Sequence, residues 1–472
     1  MAQTPVEDSG VEIGHDAEME GNLSSKSEKS IRNDVPEEIQ QEEIVPTVAA
    51  PPPNGGYGWV CVGCTFLINA HTWGLNSAYA VFLAYYLQTD TFPGASALEY
   101  AFVGGFSISL ALVISPLATI CVRKYGTQVA LLVGIVLQTA GLLGASWASK
   151  IWHLFLSQGL AFGFGMGFLF VSSVGVVPQW FTTKRSFANS IASSGSGLGG
   201  VMYSLATNAM IQSIGLAWAF RILAIVSCVV NVISTLLIRD RNKAVGSVQL
   251  AFDWRLFKRT EFLLILGWGF FTMLGYIVLL FSLPNYARSI GLSAHQGSVI
   301  GAMLNLGAGI GRPFVGYFSD AAGRINMAGF CTFLTGLFCL VIWVFAKSYG
   351  VLIFFAILTG TVSGTFWATI APVSAEVVGL QVLPSALSIT WLVLVLPCTF
   401  AEPIGLVLRD TSGNIYLHAQ LFTGFMYIGA AVCAWLLRAW KINEKERVAG
   451  EKQEREREIR GEDQVPSSGR VK

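Results

Sequence analysis

The chain has 472 residues, 53% of them hydrophobic and only 12% charged, about half the charged share of an ordinary soluble domain. So few charges cannot clothe a water-facing surface of this size, whereas a surface solvated by lipid needs none. A formal net charge of +1 argues against a nucleic-acid partner, because no basic stripe exists to displace counterions.

Residues 1–53 are acidic and rich in Glu, Ser and Pro, with no basic-then-apolar leader, and read as a disordered cytosolic tail. The Asn22-Leu23-Ser24 sequon carries no meaning on that side of a membrane. A helix needs about 20 apolar residues to cross the hydrocarbon core. Such runs fall near 57–87, 99–121, 127–149, 151–178, 187–213 and 218–238. Six more fall near 262–287, 296–318, 326–346, 349–373, 384–408 and 416–440. The predicted organisation is the tail at 1–53, a six-helix half at 54–238 and a polar cytosolic loop at 239–261. A second six-helix half at 262–440 and a charged cytosolic tail at 441–472 complete it.

Orientation follows from the bias of Lys and Arg toward cytosolic loops. One set of loops carries Arg123, Lys124, Lys184, Arg185, Arg239, Arg241, Lys243, Arg255, Lys258, Arg259 and Arg324. The opposite set holds Lys150, Arg288, Lys347 and Arg409, so both termini are expected in the cytosol. All eight cysteines lie in apolar runs. Cys61 and Cys64 sit one helical turn apart with no βαβ pattern around them, so small packing residues are expected. No disulfide framework, metal site or cofactor is implied.

A repeat links the halves. Pro116 and Pro313 are 197 apart (313 − 116), as are Gly126 and Gly323 (323 − 126). The same offset joins Lys150 to Lys347, Gly163 to Gly360 and Gly167 to Gly364. The expected fold class is therefore an all-α membrane protein: twelve transmembrane helices in two parallel six-helix halves, both termini cytosolic. This is the major facilitator architecture.

The Gly316-x-x-x-Asp320-x-x-Gly323-Arg324 loop resembles the cytoplasmic signature of major facilitator transporters. Its chemistry suits a conformational lock: Gly316 allows close helix approach, and Gly323 allows a tight turn. Asp320 is suited to pair with Arg324 or to cap a neighbouring helix N-terminus. The first half carries Arg123 where the offset would place the acid, so locking is expected to be asymmetric.

Two further blocks narrow the resemblance. Asn54-Gly55-Gly56-Tyr57-Gly58-Trp59-Val60 is similar to the opening signature of monocarboxylate-porter-like transporters. The block from Trp180 through Lys184-Arg185 to Gly195 and Gly199 is similar to that family's entry to the fifth span. Ala401-Glu402-Pro403-Ile404-Gly405 looks more like the fungal branch than the animal one. The resemblance covers residues 54–440 and implies a substrate-anion role for Arg312. It has departures. Asn54 replaces the usual acid, Asn76-Ser77 stand near the animal members' first-span Lys, and Ala308 replaces the Asp one turn before Arg312.

Titratable groups inside spans are costly and mark candidate sites. Here they are His71, Arg221, Arg312 and Glu402. His71 fits either a proton carrier or a neutral ring bonded between helices. Glu402 fits either a coupling carboxylate or a partner for backbone freed by Pro403. Arg221 reads as an interfacial anchor. Gln138, Asn231, Asn305, Trp367 and Trp391 are uncharged midspan candidates, and Asn305 lies about two turns before Arg312 on the same helix face. The substrate-binding candidates are Arg312, Asn305, His71, Asn76, Trp367 and Trp391, and the coupling candidates are His71 and Glu402.

These readings favour a secondary transporter of a small organic anion or amphiphilic metabolite, in the cell membrane and functional as a monomer. Its partners would be a small-molecule substrate, protons as a candidate coupling ion, and the lipid bilayer. Efflux of a secondary metabolite and a transport-inactive nutrient sensor are the alternatives. No His or carboxylate cluster suggests an enzyme, and no charged ring suggests a channel.

Overall fold

The computed structural model describes residues 52–247, 249–409 and 415–460, and every regular element among them is helical. The first rod joins α1 (Gly58–Asn69), a π-turn at Ala70–Gly74, the single turn α2 (Leu75–Ser77) and α3 (Tyr79–Thr89). The rod made of α4 (Ala97–Val113) and α5 (Ser115–Tyr125) bends by 43°. Next come α6 (Thr127–Ser146) and a rod of α7 (Ile151–Leu154), a π-turn at Phe155–Ala161 and α8 (Phe162–Val174). The long α9 (Arg185–Ile214) and α10 (Leu216–Leu237) complete the first half.

Past the short α11 (Asn242–Val245), the second half contains α12 (Thr260–Ser289), α13 (Ala294–Ala322), α14 (Arg324–Val341) and α15 (Tyr349–Ser363). It ends with α16 (Thr365–Val378), α17 (Leu383–Val407) and α18 (Leu417–Arg460). Nine helices among the described residues are long and apolar enough to cross a membrane, or ten if the bent α4–α5 pair counts as one. The rod at residues 58–89 is missing from that number because its turns divide it. Helix α9 is missing because Ser, Asn and Gly dilute its apolar residues. Large apolar side chains such as Phe102, Val136, Leu205, Leu236 and Phe314 stay exposed along the helices, a surface suited to lipid.

The repeat continues in three dimensions. Ser96 and Ser293 are again 197 apart, and each opens its helix with a capping box, closed by Glu99 and Gln296 respectively. Gly126 and Gly323 hold the matching turns, at φ of 89° and 96°, conformations that a Cβ would strain. A Cβ on Gly163 would lie 2.9 Å from the Ser107 carbonyl oxygen; on Gly360, it would lie 2.4 Å from that of Leu304. Ser107 and Leu304 are also 197 apart. The same helix-on-helix contact is therefore built twice.

The last helix continues into the predicted tail as far as Arg460, with Arg447 paired to Glu444 and Glu451 on its exposed surface. Residues 1–51 and 461–472, which hold most of the predicted tails, lie outside the described residues.

Candidate functional site

The two halves meet along α9 and α13, which run antiparallel with small residues between them. At one end, the Asp320 carboxylate accepts backbone N–H bonds from Ser186 at 3.0 Å and Phe187 at 2.9 Å, the first turn of α9. An acid at a helix N-terminus meets unpaired donors and the positive end of the helix dipole. Arg324 completes the cluster: it pairs with Asp320 at 3.2 Å and Glu376 at 3.5 Å and donates to the Thr182 carbonyl. A Cβ on Gly316 would lie 2.3 Å from Ser190 Oγ, so only glycine permits this approach. Arg185 is buried here and donates to the Phe181 carbonyl at 2.8 Å. Lys184 is exposed.

Two turns further along α13, Arg312 is buried with 4% of its surface exposed. One of its terminal nitrogens donates to the Ser193 carbonyl at 2.6 Å and to Ser196 Oγ, both on α9. Its Nε has no partner among the described residues, and none of their carboxylates pairs with it. Taking a guanidinium out of water without a countercharge is expensive. The Tyr276 hydroxyl of α12 interacts with it from the second half. Asn305, two turns earlier, faces the same helix: a Cβ on Gly200 of α9 would come within 3.8 Å of its amide carbon.

Aromatic rings from both halves also converge at this contact. Trp367 stacks on Trp391 with centroids 5.8 Å apart and planes at 14°. Trp73 of the first rod meets Trp367 at 5.4 Å and 45°, and Phe170 of α8 lies 5.1 Å from Trp391. The π-turn at Ala70–Gly74 carries Trp73. The His71 carbonyl in that turn accepts from Gln138 Nε2 at 2.6 Å. Sequence periodicity gave no cue to this use of Trp73 or Phe170, because a π-turn shifts the helical register within a span. Further bonds join the halves: Asn189 to the Ala368 carbonyl, Ser115 to the Ser388 carbonyl, and Ser109 with Thr399.

The remaining candidates sit elsewhere. The His71 ring is buried against Tyr203 at 5.5 Å, with Nδ1 2.8 Å from the Leu67 carbonyl, inside the first half. Asn76 accepts from Ser107 at 2.9 Å, also within that half. Neither is brought to Arg312. The Glu402 side chain lies outside the described residues. Arg221 lies over Trp147 and Trp218, at 5.3 and 5.0 Å.

The signature block holds the ends of rods together. Asn54 Oδ1 accepts from the backbone N–H of Thr182 at 2.6 Å and of Thr183 at 3.1 Å. Tyr57 donates to the Leu237 carbonyl at 2.7 Å, and Trp59 packs edge-on to Phe181. Gly55 and Gly56 form the turn, and a Cβ on Gly58 would lie 2.9 Å from Trp180. Gly195 touches the Phe66 carbonyl, where a Cβ would come within 2.1 Å.

A family model described as Major Facilitator Superfamily matches residues 61–293 and 265–465. The chain belongs to the major facilitator superfamily. It is 36% identical over 397 residues to a probable transporter, MCH2, of Saccharomyces cerevisiae, an alignment covering 83% of this chain and 84% of that protein. An efflux protein for fujikurins from Gibberella fujikuroi is 27% identical, covering 81% and 83%. Among solved structures, the FucP transporter in its outward conformation has a TM-score of 0.62 at 15% identity, covering 81% of this chain and 98% of FucP. A double-Trp variant of XylE has a TM-score of 0.64 at 12% identity, covering 80% and 93%. The expected membership of a fungal major facilitator group stands, and this superfamily member is a multi-pass membrane protein.

Proposed function

We propose that the chain is a secondary transporter that moves a small organic anion, or an amphiphilic metabolite with an anionic group, by alternating access. The observation that carries this reading is Arg312, a buried guanidinium at the contact between the halves that no described carboxylate neutralises. A substrate anion would supply the countercharge through charge-assisted hydrogen bonds. Arg312, Asn305, Trp367 and Trp391 contact the substrate in this reading, with His71 and Asn76 one layer behind. His71 and Glu402 are the titratable candidates for coupling to protons. The substrate is the only obligate partner besides lipid, and the monomer is the working unit.

Twelve spans result when the rod at 58–89 and α9 join the ten apolar ones, divided into halves at 54–238 and 262–440. The Lys and Arg of the loops support cytosolic tails at 1–53 and 441–472 and a cytosolic loop at 239–261, and the plasma membrane is the location this reading adopts. In that orientation the Asp320 cluster closes the cytosolic end. Besides α9 and α13, α4 and α17 also pack across the halves, where Ser109 meets Thr399. Gly316, Asp320, Gly323 and Arg324 form the lock in this reading.

Export of a biosynthetic product is the second reading, favoured by the likeness to the fujikurins efflux protein. Flux in proteoliposomes tests both, with and without a pH gradient, over short monocarboxylates and larger acidic metabolites. Gradient-driven flux of a short acid supports symport. Flux of larger acids alone supports export. No flux of either class removes the transport reading.

A further inference from the structure

The aromatic rings and Arg312 occupy adjoining levels of the same contact. Gly364 ends the break between α15 and α16, and a Cβ there would lie 2.7 Å from Arg312 Nε. Trp367 follows three residues later, about 4.5 Å of helix rise toward the Asp320 end. An acetate cannot span that interval, whereas a two-ring acid does.

From this juxtaposition we infer that the substrate is a planar aromatic carboxylate, its ring system on the Trp73–Trp367 pair and its carboxylate on Arg312. The inference rests on the anion-transport reading above and names the substrate class of the same site.

Trp391 is fully buried and stacks on Trp367, which itself keeps part of its surface exposed. Trp73 is also partly exposed, and its 45° tilt to Trp367 leaves the pair unstacked. Aromatic rings gain from offset or edge contact beyond the area they bury. The indole N–H groups of Trp73 and Trp391 are buried without acceptors among the described residues. Unmet donors of this kind suit a keto or hydroxyl substituent on a bound ring.

The rings are also divided between the halves. Trp73 and Phe170 belong to the first half, Trp367 and Trp391 to the second. A planar substrate held among them touches both bodies at once, so its binding energy changes whenever one half rocks against the other. A ligand shifts such an equilibrium only through this kind of differential contact.

The test is calorimetric binding to the full chain in nanodiscs, with the heat of empty discs subtracted. The probes are 2-naphthoate, its saturated counterpart decahydronaphthalene-2-carboxylate, and acetate. The parent should bind 2-naphthoate about tenfold more tightly than the saturated acid. Trp367→Leu should bring the two acids within about twofold, and Trp73→Leu, on the other half, should reduce the preference independently. Melting curves taken alongside show whether each variant keeps its fold. Equal affinity of the parent for the flat and the puckered acid overturns the inference, as does a preference that survives both substitutions. The two readings fail differently. If all the acids bind alike and Arg312→Ala abolishes them, anion binding stands and the aromatic class falls. If the parent binds none of the probes, both fall.

Discussion

Asp320 of α13 accepts a 3.0 Å hydrogen bond from the Ser186 backbone N–H of α9, so a carboxylate of one half caps a helix of the other. The adjoining N–H of Phe187 makes the contact bidentate, and Arg324 ties the same carboxylate to the Thr182 carbonyl. Hydrogen bonds to a charged group contribute about 1.5–3 kcal/mol each when buried, and this site is only partly so. Asp320→Asn keeps one acceptor and loses the charge. It should shift the balance between the two facing states about tenfold away from this one, on the basis of one such bond. Labelling of a cysteine introduced at Ser186 would read that shift as faster reaction from the cytosolic side. An unchanged labelling rate in Asp320→Ala would remove the lock.

Gly316 and Gly311 separate two effects of the same substitution. A Cβ at Gly316 would crowd Ser190 and the Ser186 carbonyl of the opposite half, whereas one at Gly311 would crowd Thr361 within its own half. Overpacking costs about 1–3 kcal/mol at either position. Gly316→Ala should therefore favour the opposite-facing state with little loss of melting temperature. Gly311→Ala should lower the melting temperature of the protein itself. Equal thermal loss in both variants would mean that the α9–α13 contact does not open.

Asn54 stands where related carriers have an acid, and its Oδ1 gathers the N–H groups of Thr182 and Thr183. Its φ of 59° suits Asn, Asp or Gly. Asn54→Asp should preserve stability, because the carboxylate accepts the same bonds. Asn54→Gly keeps the backbone but loses the acceptor, and should cost about 0.5–1.5 kcal/mol, the net contribution of an ordinary hydrogen bond. Thermal unfolding in detergent measures both. A larger loss in Asn54→Asp than in Asn54→Gly would mean that the oxygen does not hold this loop.

The repeat was legible because it is carried by residues whose chemistry is local. The 197-residue offset of Gly126 and Gly323 marks turns that need positive φ, and Pro116 and Pro313 mark matching rods. The motif around Asp320 was legible as a unit for the same reason. Its partners were not: Ser186 lies 134 residues away, and no spacing rule connects them. The neighbours of Arg312 on α9 were hidden likewise. For His71 and Asn76, the sequence marked candidates in the first span but not the face each occupies, because the π-turn at Ala70–Gly74 shifts the helical register there. His71 consequently packs on Tyr203, and Trp73 reaches across to Trp367.

Flux through proteoliposomes decides whether Arg312 is the anion-binding cation of a carrier. Uptake of a radiolabelled acid that the parent transports would be compared with Arg312→Ala and Arg312→Lys. Loss of a buried charge-assisted pair costs about 3–5 kcal/mol, so Arg312→Ala should transport at least about a hundredfold more slowly. Arg312→Lys should recover part of the rate, since it restores the charge without the planar fork. Parental flux in Arg312→Ala, with the variant correctly folded, would mean that Arg312 does not bind the transported anion.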